Sequence, residues 1–145
     1  MSGPRANDSQ PGSRRSSAVT EQEIAAGLAP TPGYRYADLV GDRLYVAGQV
    51  PNDANGDLVG AGDVAAQARA CLDNLMRLVT ASGFTRDDIH RLTISVVGDR
   101  PELGVTWTAV VAWFGGEVPP ATLVGVRALG YAEQLVEIDA DVARA

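Results

Sequence analysis

Few side chains in this sequence are suited to covalent or metal chemistry. The 145 residues include no lysine, one histidine, His90, and one cysteine, Cys71. Schiff-base catalysis by lysine is therefore excluded, and so is a phosphate-binding loop that relies on lysine. A zinc site built from histidine and cysteine needs three or four such ligands, which one chain does not have. The residue types thus predict no metal site, and a single cysteine cannot form an intrachain disulfide.

Carboxylates are the remaining candidates for acid–base chemistry. Asp53 and Asp57 lie in a loop that resembles a calcium-binding segment, but the closing glutamate of a helix–loop–helix calcium site is absent. Asp87 and Asp88 are explained more simply as turn or capping residues. Glu137 lies on the polar side of a predicted strand, where a solvated or interface glutamate is the simplest interpretation. Residue types alone therefore single out no catalytic group.

The elements that must position these groups alternate between strands and helices. Strands are predicted by alternating or continuous short apolar runs, and helices by apolar residues at three- and four-residue spacing. Gly41-Asp42 separates the first two runs, and a Gly-X link of this kind is a hairpin signal. The predicted elements are strands 36–40 and 43–50, helix 63–83, strand 91–96, helix 99–115, and strands 121–126 and 135–142.

This ββαβαββ order predicts an α+β domain in which two helices cover one face of a mixed sheet. On the second helix, the predicted apolar stripe consists of Leu103, Trp107, Val110, Val111 and Phe114. The other face of the sheet has no cover, and we expect it to be apolar. Self-association is the simplest way to cover such a face, so the element order predicts an oligomer.

Charge and composition argue against several classes of partner. The formal net charge is −6, and all of it falls on residues 31–145, so the body repels a nucleic-acid backbone. No apolar run approaches the ~18 residues that a membrane span needs, so no membrane partner is predicted. We expect a soluble, cytoplasmic protein. Residues 1–29 are predicted to be a disordered or weakly ordered tail, and residues 30–145 a single domain.

Five short segments carry a resemblance through their order and spacing. They are Leu44–Val50, Gln67–Leu75, Asp87–Ile89, Pro119–Ala121 and Leu135–Ile138. Together they resemble the Rid/YjgF family, named for reactive-intermediate deaminases, from about Tyr34 to Asp141. The resemblance implies a chorismate-mutase-like fold and a homotrimer with a central β-barrel and outer helices. It also implies a pocket for a small-molecule ligand at each subunit interface.

The family's deaminases hydrolyse imines and enamines, such as 2-aminoacrylate and 2-iminobutanoate, to 2-keto acids and ammonia. The resemblance implies that no metal or organic cofactor is needed. Glu137 and Tyr34 fall on the family's pocket glutamate and tyrosine, so they are the predicted catalytic residues. Glu137 would be the acid–base group and Tyr34 an orienting hydrogen-bond donor.

The predicted substrate-binding residues include three that depart from the family pattern. Ala47 replaces the usual serine before Gly48-Gln, and Trp107 replaces a common pocket asparagine. Thr122 stands where the family has the arginine that clamps the substrate carboxylate, a contact worth about 1.5–3 kcal/mol or more. Arg35 is a possible substitute cation, next to the pocket tyrosine. With these changes the pocket is less polar, which favours a neutral or aromatic ligand.

Two functions remain open from the sequence. The first is an enzyme that hydrolyses an imine or enamine, or performs related acid–base chemistry on a pathway intermediate. The second is a trimer that binds or scaffolds a small molecule without turnover, because the clamping arginine has been replaced by Thr122.

Overall fold

A computed structural model of the chain describes residues 18–145, so most of the predicted tail at 1–29 lies outside the described residues. The predicted order of strands and helices is confirmed, with one short helix in front of it. The helices are α1 (Glu21–Ala25), α2 (Val64–Ala81) and α3 (Arg100–Trp113), with a 3₁₀ turn at Arg86–Asp88, and the strands are β1 (Ala37–Val40), β2 (Arg43–Val46), β3 (Ile89–Val97), β4 (Ala121–Val126) and β5 (Val136–Ala143).

The five strands form one mixed sheet in the order β1-β2-β5-β3-β4. Neighbouring strands are antiparallel except β3 and β4, which run parallel. The last strand of the chain therefore lies at the centre of the sheet, where it pairs with both β2 and β3. This α+β arrangement is the predicted fold class.

The β1–β2 hairpin turns at the predicted Gly41-Asp42 link. Gly41 has a φ of 59°, a left-handed conformation that glycine adopts without steric cost. A tight turn at this point sets the register of β1 against β2, which pairs Ala37 with Val46 and Val40 with Arg43.

The long helix α2 is the main cover of the sheet. It begins at the predicted N-cap, Asp63, whose side chain accepts a hydrogen bond from the backbone of Ala66 at 3.0 Å. Its buried face also carries two polar side chains that hold loops in place. Gln67 accepts from the backbone N–H of Leu135 at 2.7 Å, and Asn74 donates to the carbonyl of Val50 at 2.9 Å.

The apolar stripe predicted on α3 is correct only in part. Val110 and Phe114 are buried, as expected, but Trp107 is 37% exposed. The buried face instead includes Thr106 and Ala109. Both side chains are smaller than an indole, so the buried face of α3 needs less space than it would with Trp107 inside.

The short helix α1 belongs to the part of the chain predicted to be a tail. Thr20 and Glu23 form a reciprocal capping box at its start. Around it, Val19 and Leu28 are buried in a small cluster with Tyr36 and Leu78. Chain packing on the domain thus extends to at least residue 19. Among residues 18–145, no helix is long and apolar enough to cross a bilayer.

Candidate active site

The candidate site lies on the face of the sheet that the helices leave uncovered. Side chains on the two central strands alternate between the core and this face. The polar side chains on the uncovered face include Arg91, Thr93 and Ser95 from β3, and Glu137, Asp139 and Asp141 from β5. The expectation of an apolar face is therefore wrong at its centre, and exposed apolar groups flank the polar strip at Val40, Tyr45 and Val124.

Glu137 is half-buried on β5, opposite Ser95 of β3. Its Oε1 accepts a hydrogen bond from the side-chain amide of Gln134 at 3.4 Å. Its Oε2 packs against Gly48, where an added Cβ would lie only 2.6 Å away. The glycine at position 48 is thus explained, because the Glu137 side chain fills the space that any other residue there would need.

Gly48 is held in place by the chain that continues beyond β2. Gln49 exchanges two backbone hydrogen bonds with Ile138, at 2.7 and 3.1 Å. The backbone N–H of Ala47 donates to the carbonyl of Tyr36 at 2.8 Å, and its carbonyl accepts from the Gln49 side chain. Ala47 therefore contributes to the site through its backbone, which keeps Gly48 beside Glu137.

Tyr34 and Tyr131 meet through their hydroxyl groups, whose oxygens are 3.1 Å apart. Burial raises the pKa of Tyr34 most, and the hydrogen bond to Tyr131 and the nearby charge of Glu137 raise it further. A phenol with a raised pKa stays protonated at neutral pH, so Tyr34 is a hydrogen-bonding group and not a base. One of the two hydroxyl groups donates to the other, and the second hydroxyl can donate its proton to a ligand.

Two residues of this cluster, Tyr131 and Gln134, were missed by the sequence analysis. Gln134 is buried, donates to the carbonyl of Val136 at 3.0 Å, and accepts from the backbone N–H of Tyr131 at 3.1 Å. These bonds fix the loop that brings Tyr131 to Tyr34. The loop between the last two strands carries no spacing pattern, so no sequence signal pointed to it.

Thr122 lies on the same uncovered face, on β4, where it pairs with Thr93 of β3. Since β3 separates β4 from β5, Thr122 is two strands away from Glu137. Its hydroxyl accepts a hydrogen bond from Nη2 of Arg91 at 3.0 Å. A guanidinium thus stands beside position 122 although the residue itself is a threonine, which the sequence analysis did not foresee.

Two predicted substrate-binding residues lie apart from this cluster within one chain. Arg35 forms an ion pair with Asp38 at 3.5 Å, and both side chains are well exposed. Trp107 lies on α3, in the helical layer on the opposite side of the sheet from Glu137. The single chain therefore brings together Tyr34, Gly48 and Glu137, but not Arg35 or Trp107.

Charge on the uncovered face is arranged in part by Asp139. Burial raises the pKa of Asp139, repulsion by Asp141 raises it further, and attraction to Arg91 opposes both effects. Asp141 in turn pairs with Arg43 at 3.2 Å. The carboxylates of β5 therefore interact electrostatically with arginines of both neighbouring strands, Arg43 on β2 and Arg91 on β3.

Known proteins are similar to this chain in sequence and in fold. The model of a family described as endoribonuclease L-PSP matches residues 25–144. A 2-iminobutanoate/2-iminopropanoate deaminase from Rattus norvegicus is 27% identical over 126 residues, 86% of this chain and 90% of that protein. A RutC family protein from Sulfurisphaera tokodaii is 40% identical over 60 residues, which are 41% of this chain and 48% of that relative.

A solved structure, that of the YjgF gene product from E. coli, has the same fold. Its TM-score is 0.74 at 28% sequence identity, and the match covers 89% of this chain and 98% of that chain. The family match spans far more than half of the sequence, and the predicted family is confirmed. The chain is therefore a member of the Rid/YjgF family.

Proposed function

We propose that this chain hydrolyses small imines or enamines to a carbonyl compound and ammonia, with Glu137 as the acid–base group. The observation that carries this proposal is the Glu137 carboxylate, packed against Gly48 and close to the Tyr34–Tyr131 pair. The name of the rat relative, a 2-iminobutanoate/2-iminopropanoate deaminase, supports the same class of reaction.

The reaction needs a group that first accepts and then returns a proton. Glu137 accepts a proton from water while the water oxygen bonds to the imine carbon, and the acid so formed gives this proton to the imine nitrogen. In the resulting carbinolamine, Glu137 accepts the hydroxyl proton as the C=O bond forms. The C–N bond breaks as Glu137 gives that proton to the nitrogen, so ammonia leaves and the carboxylate ends as it began.

The tyrosine pair would orient the reacting groups. Burial raises the pKa of Tyr34, so the Tyr34 hydroxyl stays protonated at neutral pH and contributes a hydrogen-bond donor to the pair. Its free O–H group can donate to the attacking water or to the oxygen that develops in the carbinolamine. Tyr34 is therefore assigned the orienting role, and Tyr131 holds it in position.

A homotrimer is the proposed assembly. The polar strip of Glu137, Asp139 and Arg91 has exposed apolar groups beside it, at Tyr45 and Val124, and this mixture is typical of a surface that another copy covers. Closing three such faces together would form pockets between copies. Thr122, which lies two strands from Glu137 in one chain, would then share a pocket with Glu137 of another copy.

The test of this function is hydrolysis of freshly generated 2-iminobutanoate by the purified full chain. We expect Glu137→Gln, which keeps the side-chain shape, to lower kcat by about 10²-fold or more, since positioned proton transfer contributes that much. Glu117→Gln removes a charge from an exposed glutamate and serves as the matched control. Hydrolysis by the wild type at the rate of buffer alone, or by Glu137→Gln at the wild-type rate, would contradict the proposal.

A second function, binding without turnover, is favoured by one observation, the threonine at position 122. In that case the wild type binds 2-oxobutanoate but leaves the imine intact. Thr122→Arg would then introduce hydrolysis, because it restores the family's clamping residue. Hydrolysis by the wild type that depends on Glu137 excludes this alternative.

A further inference from the structure

Arg91 reaches from β3 to a threonine on the neighbouring strand. Its Nη2 donates to Oγ1 of Thr122 at 3.0 Å, and its Nη1 donates to Oγ1 of Thr93 at 3.3 Å. The parallel register of β3 and β4 places the two threonines side by side. The guanidinium is therefore held over the β3–β4 side of the uncovered face.

The polar groups at this point are arranged to donate hydrogen bonds. A guanidinium has N–H donors and no acceptor, and within residues 18–145 only two hydrogen bonds engage those of Arg91. Each threonine oxygen accepts from Arg91, so its own O–H is directed elsewhere as a donor. A cluster of donors on a cation fits an acceptor with two oxygens, and a carboxylate is the simplest such group.

The charge of Arg91 is not neutralised by a contact with a carboxylate. Among residues 18–145, no carboxylate oxygen lies within 4.0 Å of its guanidinium, whereas Arg43 on the same face pairs with Asp141 at 3.2 Å. Asp139 interacts with Arg91 only at longer range. A guanidinium that is bound by neutral hydroxyls keeps its charge for an incoming anion.

Within one chain, the cluster of Arg91, Thr93 and Thr122 lies far from Glu137. β3 lies between β4 and β5, and neighbouring strands are about 4.8 Å apart, so Thr122 and Glu137 lie on strands roughly 10 Å apart. The Glu137 side chain packs on the other side, against Gly48. A small 2-imino acid, whose carboxylate is bonded directly to the reacting carbon, is too short to touch both groups.

We propose that Arg91, with Thr93 and Thr122, binds the carboxylate of a small 2-imino or 2-oxo acid, and that Glu137 of a neighbouring copy acts on the same molecule. This inference rests on the proposed hydrolysis and names its substrate class. It reverses the expectation of a neutral or aromatic ligand, which came from Ala47, Trp107 and Thr122 together. Arg91 supplies the cation that position 122 lacks.

The first test is equilibrium binding of 2-oxobutanoate, followed by calorimetry, and it needs no turnover. Arg91→Ala should weaken binding by about ten- to a hundredfold, the value of a lost charge-assisted hydrogen bond or two. Arg69→Ala, an exposed arginine on α2, is the matched control and should bind like the wild type. The uncharged methyl ester of the same acid should bind equally to the wild type and to Arg91→Ala.

The outcomes of this test are separate from those of the hydrolysis assay. Loss of affinity for the acid but not for the ester supports the carboxylate site, even if the wild type hydrolyses nothing. Unchanged affinity in Arg91→Ala, an equal loss for acid and ester, or no binding by the wild type overturns it, even if Glu137-dependent hydrolysis is observed.

The second test asks whether the two groups come from different copies. Chains with Arg91→Ala and chains with Glu137→Gln are co-expressed, so that each chain carries one intact group. Random mixing should recover about a quarter of the wild-type activity, because a site needs an intact Arg91 from one copy and an intact Glu137 from the next. If mixed oligomers, verified by mass, stay as inactive as the separate variants, the shared site is wrong.

Discussion

At the scale of single residues, the site depends on close packing of the Glu137 side chain against Gly48. The Oε2 of Glu137 lies 2.6 Å from where a Cβ at position 48 would stand, so the absence of a side chain there allows the carboxylate its position. Gly48 has no unusual φ that would require glycine, which means that its role is spatial rather than conformational. Stability and catalysis should therefore respond differently to a methyl group at this position.

Gly48→Ala should lower kcat by about tenfold to a hundredfold while leaving the fold nearly unchanged. The added Cβ meets the flexible end of Glu137, which can swing away at little cost, but a displacement of about 1 Å at a reacting group is expensive in rate. The checks are kcat on 2-iminobutanoate and the melting temperature of the same sample.

Gly104→Ala is the matched control for that substitution. Nothing lies within 4 Å of a Cβ added to Gly104, which is inside α3, so activity should be retained. Stability should rise by about 0.5–1 kcal/mol, because alanine is the better helix former. Full activity in Gly48→Ala would mean that the position of the Glu137 carboxylate does not matter.

At the scale of elements, α1 and the residues around it are part of the packed domain. Leu28 is 2% exposed and lies with Val19, Tyr36 and Leu78 in a cluster on one side of α2. The same cluster carries Tyr36, which precedes β1 and whose ring packs against Tyr34 with ring centroids 6.3 Å apart. The segment before the first strand thus supports a tyrosine of the site.

Leu28→Ala should lower the free energy of unfolding by about 2–4 kcal/mol, as other truncations of buried leucines do. The melting temperature should fall by roughly 5–12 °C in calorimetry. Ile24→Ala, in the same segment but 49% exposed, should change stability by less than about 0.5 kcal/mol. Equal melting of both variants would show that the segment is a tail, as the sequence predicted.

At the scale of the whole molecule, the uncovered sheet face carries both the candidate site and the surface proposed to contact other copies. The polar strip on β3 and β5 carries the proposed acid–base group, and the exposed Tyr45 and Val124 beside it are the apolar area that a second copy would contact. Neither Arg91 nor Trp107 can share a small ligand with Glu137 inside one chain. The pocket that we propose would therefore form where copies meet.

The wild type should sediment at three times its 15.1 kDa chain mass. Val124→Asp, which places a carboxylate on the uncovered face, should shift the population to smaller species, because burying an unpaired charge costs several kcal/mol. Ile24→Asp puts the same charge on α1, which packs on α2 away from this face, and should leave the mass unchanged. If the wild type sediments as a folded single chain, the proposed pocket between copies cannot form and the proposal is wrong.

Local patterns were sufficient for much of the fold. Alternation on β3 and β5, the Asp63 cap and the Gly41 turn are properties of neighbouring residues, so they were predicted close to their observed bounds. The Rid/YjgF membership followed from segments in order, and it led to Glu137, Tyr34 and Gly48 as candidates. The buried face of α3 was predicted less well. Trp107 has an apolar side chain and was assigned to that face, but the packing of the helix leaves it exposed.

Contacts between distant parts of the chain were decided only by the tertiary structure. The parallel pairing of β3 with β4 sets Thr93 beside Thr122 and so brings Arg91 to a position 31 residues away in sequence. The loop before β5 brings Tyr131 to Tyr34 across 97 residues. No local periodicity records which strands become neighbours or in what register, because that choice depends on how the whole sheet packs against α2 and α3.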